Sequence, residues 1–178
     1  MNHDLYYILG FCVAIAVCVP LALILKKLAA SNGKPRYDER QLRVQAKAHE
    51  AGYISMMCFL ALYAFTDSLH PWCELSFGMF LCICLSVTIF ACICISGDAY
   101  FALNSKPKLL ALGLGLLGIG NIFIGIRNIL EEDVLEDGLI SFRCSNIVVG
   151  VMLVIVVIAS IIHNFVFASA ASDSDDEQ

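Results

Sequence analysis

The chain has 178 residues, 60% of them hydrophobic and 15% charged, with a mean hydropathy of +0.82 and a net charge of −5. Soluble domains run at about 45–50% apolar and about 25% charged, so a water-soluble globule of this length is excluded. The acidic balance, and the lack of an aromatic stacking platform beside the basic residues, exclude nucleic acid as a partner.

Five apolar stretches are read as membrane-spanning helices, which predicts an all-α, polytopic protein with five transmembrane helices in a compact bundle. After a short external terminus (1–4), the first span is Leu5–Leu25. Lys26 and Lys27 follow this run instead of preceding it, and roughly 21 residues exceed the apolar core of a secretory signal, so the segment is expected to stay attached. A basic loop (26–50) leads to the second span, Ala51–Thr66, and an outer loop (67–74) to the third, Leu75–Ile95. A loop at 96–108 precedes the fourth span, Leu109–Ile126, and an acidic outer loop (127–143) precedes the fifth, Cys144–Phe165. The remainder, 166–178, reads as an acidic cytoplasmic tail, with Ser172–Asp173–Ser174–Asp175–Asp176–Glu177 expected to be disordered.

Orientation follows from where Lys and Arg fall. Nine of the eleven, including Lys26, Lys27, Lys34, Lys106 and Lys108, lie in loops that alternation puts on one side, leaving Arg127 and Arg143 on the other. The positive-inside rule makes the basic side cytoplasmic, which puts the N-terminus outside and the C-terminus inside.

The loop between the first two spans is the most informative segment. Ser31–Asn32–Gly33–Lys34–Pro35 reads as a turn, and Asp38 with Gln41 three residues on forms a capping box that starts a helix. That helix meets no breaker before Gly52, so it either extends the second span or bends at the glycine. Arg40, Arg43 and Lys47 lie on its polar face and are candidates for contact with a partner or with lipid headgroups. The run Tyr37–Asp38–Glu39–Arg40–Gln41, followed by an Ala- and Lys-containing helix entering a span, resembles small uncharacterised bacterial multi-pass membrane proteins that carry an Asp-Glu-Arg element ahead of a span. The resemblance covers about fifteen residues, implies a bacterial inner-membrane setting, and carries no activity or site with it.

Of nine cysteines, seven (Cys12, Cys18, Cys58, Cys82, Cys84, Cys92 and Cys94) fall inside predicted spans and read as small apolar residues. In the repeated Cys-Ile-Cys pairs, a spacing of two on a helix points the thiols about 200° apart, so neither pair chelates one ion. Cys73 and Cys144 flank the outer side and are a candidate disulfide.

Gly113, Gly115 and Gly118 have G-x-G-x-x-G spacing, but they lie inside an uninterrupted apolar helix and not at a strand-to-helix turn, which rejects a dinucleotide site. Ala111, Gly115, Gly118, Ile122 and Gly125, in alternating steps of four and three, form a smooth face for close approach by another helix, of this chain or of a partner. Asn121 beside that face is expected to add an interhelical hydrogen bond. Asp67, Arg127 and Arg143 share the outer boundary, and Asp67 is expected to pair with one of the arginines. Asp98 has Lys106, Lys108 and the basic helix as available partners.

No cofactor or metal site is read from the chain. His49 beside Glu50 lacks metal-ligand spacing, and the acidic outer loop lacks EF-hand spacing. The leading reading is therefore a non-enzymatic membrane protein that acts by interaction, as accessory subunit, regulator or homo-oligomer, with the bilayer and a membrane protein or a second copy as partners. An oligomeric transporter or channel is the alternative, with Asn121, Thr88, Ser86 and Ser55 as its polar candidates. A membrane enzyme is the second alternative, with no catalytic residues assigned; loss of a phenotype on replacing His49 or Glu50 in a folded protein would raise it.

Overall fold

A computed structural model describes residues 36–103, 106–131, 134–136 and 138–175. Among the described residues four helices are long and apolar enough to cross a membrane. They are α1 (Glu39–Leu69), α2 (Leu75–Ser96), α3 (Pro107–Glu131) and α4 (Ser145–Asp175), and they correspond to the second to fifth predicted spans. The first predicted span, Leu5–Leu25, and the turn at 31–35 lie outside the described residues.

The start of α1 follows from three residues. The Gln41 backbone N–H donates to Asp38 Oδ1 at 2.6 Å, and Asp38 N–H donates to Gln41 Oε1 at 3.2 Å, which closes the capping box. Such a cap contributes about 1 kcal/mol. The helix then runs without a break through Gly52, which faces α2; an added Cβ there would make ordinary van der Waals contact with Phe90 Cβ at 3.4 Å and the Ser86 carbonyl at 3.6 Å. α1 is thus one continuous helix that extends the second span. Its 31 residues reach about 46 Å at 1.5 Å each, well beyond the ~30 Å hydrocarbon layer.

The end of α2 is a Schellman motif. Ala99 N–H reaches back to the Cys94 carbonyl at 2.7 Å and Asp98 N–H to the Ile95 carbonyl at 3.0 Å, the two bonds that satisfy the last orphan carbonyls of a helix. The left-handed position belongs to Asp98 at φ 54°, one of the few non-glycine residue types that tolerates it. In α3, Pro107 stands at the first helical position, where a missing N–H costs nothing.

In space the helices form a row, α1 on α2, α2 on α4 and α4 on α3. The sequence reading expects a compact bundle, but among the described residues no packed interface joins α1 to α3. Closure would require their outer faces to meet, yet Tyr53, Met57 and Phe65 on α1 and Leu116, Ile119 and Phe123 on α3 are all exposed. Lipid is as apolar as these side chains, so burying them against each other has little driving force in a membrane.

Two clusters make the core. At one end Tyr63, Cys73, Phe77, Cys82 and Cys144 pack together; toward the other, Ala91, Ile95 and Val156 gather beneath Tyr100 and Leu114. The tightest seam lies between α3 and α4. A Cβ on Gly150 would fall 2.8 Å from the Ile122 nitrogen and 2.9 Å from the Gly118 carbonyl, and one on Gly125 would fall 2.8 Å from the Ile147 nitrogen. Backbone lies against backbone there, and only glycine permits it.

Two features depart from the sequence reading. The acidic loop folds into a hairpin, β1 (Leu135–Glu136) against β2 (Leu139–Ile140), turned by Gly138 at φ 80°. The helix of α4 continues to Asp175, through most of the segment read as a disordered tail; the alanines at 168, 170 and 171 are strong helix formers.

Candidate functional site

The end of the molecule that carries Arg36, Arg40, Arg43, Lys106 and Lys108 brings polar groups from three elements together around the Schellman turn. Gln41, only 4% exposed, does two jobs. Its backbone and Oε1 complete the cap of α1, while its Nε2 donates to the carbonyls of Asp98 at 2.5 Å and Phe101 at 3.4 Å. One turn on, Gln45 Nε2 donates to the Ala99 carbonyl at 2.8 Å, and Leu103 N–H donates to the Arg36 carbonyl at 2.9 Å. The loop after α2 is thereby stitched to the first two turns of α1. Gly97 permits the approach, since a Cβ there would meet Val44 Cγ1 at 2.5 Å.

The αL turn sends the Asp98 side chain toward α4. Its Oδ1 lies 3.6 Å from His163 Nδ1 and its Oδ2 lies 3.6 Å from Arg40 Nη2. The His163 side chain is 15% exposed and that of Asp98 47%. Ser160 and Asn164, one turn before His163 and beside it on α4, complete a cavity of about 280 Å³ that Gln41, Asp98 and Tyr100 also line. Burial pushes the Tyr100 phenol above its ordinary value, and the neighbouring Cys94 adds to this. Ser160 Oγ donates to the Val156 carbonyl at 2.9 Å and Asn164 Nδ2 to the Ser160 carbonyl at 2.8 Å. The Ser160 hydroxyl and one Asn164 N–H are thereby used within their own helix, while Asn164 Oδ1 and the Ser160 lone pairs remain as acceptors.

The basic candidates divide by role. Arg40 belongs to the Asp98 arrangement, Arg43 pairs with Glu39 at 2.7 Å on the solvent-facing side, and Lys47 is exposed. His49 packs its ring on Phe90, with centroids 4.5 Å apart.

The predicted glycine face splits in two. Gly118 and Gly125 meet α4 of the same chain, at Gly150, Leu153 and Ile147, whereas Ala111 and Gly115 line an open groove. Among the described residues Asn121 makes no bond across the interface; its Nδ2 donates to the Leu117 carbonyl at 2.8 Å in its own helix. The side chain sits one position off the Gly118–Ile122–Gly125 seam and satisfies itself locally.

At the opposite end the loops are joined by backbone. Ile140 N–H donates to the Trp72 carbonyl at 3.1 Å, Glu74 N–H to the Ile140 carbonyl at 2.9 Å, and the Glu74 carboxylate accepts from Phe142 N–H at 2.7 Å. This places Cys73 and Cys144 in one buried cluster, with both thiols free. Cys73 Sγ stands 4.0 Å from the Tyr63 hydroxyl. Burial pushes the Cys73 thiol up, and the Asp67 carboxylate pushes the same way, against a hydrogen bond with Tyr63 that lowers it. Asp67 is in no ion pair with Arg127 or Arg143 among the described residues. It ends α1 on the side of Tyr63 and Cys73, while each arginine has interactions of its own.

Sequence reasoning did not single out Gln41 as a clamp, Gln45, Ser160, Asn164 or Gly150. The signal was present for the α4 group, because Ser160, His163 and Asn164 are polar residues at i, i+3 and i+4 and therefore share a face. Comparison with known protein families, curated proteins and solved structures returns no match.

Proposed function

We propose that this chain is a non-enzymatic, multi-pass protein of the bacterial cytoplasmic membrane, oriented with its N-terminus outside and its C-terminus in the cytoplasm. It acts by interaction, as an accessory subunit or regulator, and presents the start of α1 to its partner. The observation that carries this reading is the stitching of α1 to the loop after α2. A helix that only floated its basic residues among headgroups would need no buried amides to hold it. Here Gln41 and Gln45 hold it through long-range bonds while Arg43 and Lys47 point outward.

The polar residues that a transport pathway would use support the same reading. Ser55 donates to the Gly52 carbonyl at 2.9 Å, and Ser86, Thr88 and Asn121 donate to the carbonyls of Cys82, Cys84 and Leu117 at 2.8 Å each. A donor of each is turned onto its own helix.

The test is purification of the full chain at native expression level in a mild detergent, with mass spectrometry of the intact complex. A second protein recovered reproducibly, and lost from the Arg43→Ala/Lys47→Ala variant, is the expected result. A lone monomer or homo-oligomer, or a partner indifferent to that variant, would overturn it.

A further inference from the structure

Beside the polar cavity lies a second, larger space. It measures about 660 Å³ along the outer side of α3 and α4, and its walls are apolar: Ala111, Gly115, Leu116, Ile119, Val157 and Ile161. Phe101, Pro107, Ser160 and Asn164 line both spaces, so the two adjoin at these residues. Lys108 also borders the groove and is in no ion pair among the described residues. The groove exists because the small-residue face of α3 is used only in part. Gly118 and Gly125 are packed against α4, but a Cβ on Gly115 would find only Val157 Cγ2, at 3.9 Å.

We infer that the groove and the polar cavity together bind one aminophospholipid, with an acyl chain along Ala111 and Gly115, the phosphate at Lys108 and the primary ammonium in the cavity at Asp98. The apolar groove lies within the membrane-spanning part of α3 and α4, so its natural occupant is a lipid chain. Lys108 at its border complements a phosphate. The choice of ammonium comes from the cavity's chemistry. Asp98 brings a carboxylate to it, and Asn164 Oδ1 and Ser160 Oγ are further acceptors beside that charge. Arg40 and His163 stand 3.6 Å from that carboxylate, longer than the about 2.7–2.9 Å of a charge-assisted hydrogen bond, so neither saturates it. A primary ammonium brings three N–H donors to such a site, whereas a quaternary one brings none.

The full-length protein is purified in mild detergent with an equimolar mixture of phosphatidylethanolamine, phosphatidylglycerol and phosphatidylcholine of identical acyl chains, and retained lipid is read by native mass spectrometry. Phosphatidylethanolamine is expected to be enriched about tenfold over phosphatidylcholine, which corresponds to about 1.4 kcal/mol. Asp98→Asn, which keeps a residue suited to the left-handed turn, is expected to abolish that preference without reducing total lipid bound. Gly115→Leu, which fills the groove, is expected to reduce all three lipids alike. Equal retention of phosphatidylethanolamine and phosphatidylcholine by the wild type, a preference for phosphatidylglycerol, or a preference that survives Asp98→Asn would each overturn the assignment.

Discussion

The two ends of the bundle are fastened by opposite means. At the basic end, side-chain amides on α1 reach across to backbone carbonyls of the next loop, so the joint depends on which residues stand at 41 and 45. At the hairpin end, backbone bonds to backbone between residues 72–74 and 134–142, with the Glu74 carboxylate adding a side-chain acceptor. The first joint is specified by a few side chains and can be removed by changing them. The second survives most substitutions in its loops and is vulnerable where helices meet beneath it.

The largest effect is therefore expected from a core glycine at the hairpin end. A Cβ on Gly78 would fall 2.2 Å from Tyr63 Cζ, and that ring is buried against Cys73 and Phe77. Gly78→Ala is expected to destabilise the protein by about 3 kcal/mol through overpacking, read as a fall in Tm in detergent. A Tm within 1–2 °C (~0.5 kcal/mol) of wild type would show that the Tyr63 cluster yields freely. Next comes Gln41→Ala at the basic end, which removes half the capping box and strands the Asp98 and Phe101 carbonyls. About 2 kcal/mol is expected, with increased amide exchange confined to residues 39–45 and 97–103; exchange that spread to the hairpin would contradict the independence of the two joints.

A smaller effect separates the ends by pH. The Cys73 thiol is raised above its ordinary value in the folded protein. Between the ordinary value and the raised one, the unfolded chain is a thiolate and the folded chain a thiol, so the folded state loses stability as pH rises through that window. Alkylation of Cys73 is expected to lag behind that of a free thiol at pH 8–9 and to catch up only at higher pH. Cys73→Ser should reduce this slope and leave the basic end unchanged. Reaction at the free-thiol rate at pH 8, or a slope unaltered in Cys73→Ser, would count against a buried thiol there. The smallest change is Arg43→Ala, whose partner Glu39 is equally exposed; less than about 0.5 kcal/mol is expected, vanishing at high salt. A larger, salt-resistant loss would mean that this arginine has a further contact.

The same contrast explains what could be read without coordinates. Features set by neighbours in sequence were legible: the Asp38–Gln41 cap, the last four apolar runs, and a smooth face on α3 at Gly118 and Gly125. Features set by distant residues were not. Gly150 is a lone glycine in an apolar run, and nothing local announces that it meets Gly118. Gln41 was read as a cap because that job spans three residues, while its second job spans 57. The hairpin did have a local signal, the Asp-Gly pair at 137–138, which favours tight two-residue turns. It was hidden by the surrounding acidity, which reads as a solvated loop.

Asp98 joins two requirements in one position. The backbone there needs φ near 54°, which narrows the tolerated residues chiefly to Gly, Asn and Asp. Of these only Asp carries a charge to His163 and Arg40. Random substitution at 98 therefore almost always damages the turn and the cavity together, and the single-base changes that reach Asn or Gly are the ones that uncouple them. A population of variants selected only for folding would drift toward Asn or Gly at this position, so retention of Asp under such selection would itself report a demand for the charge.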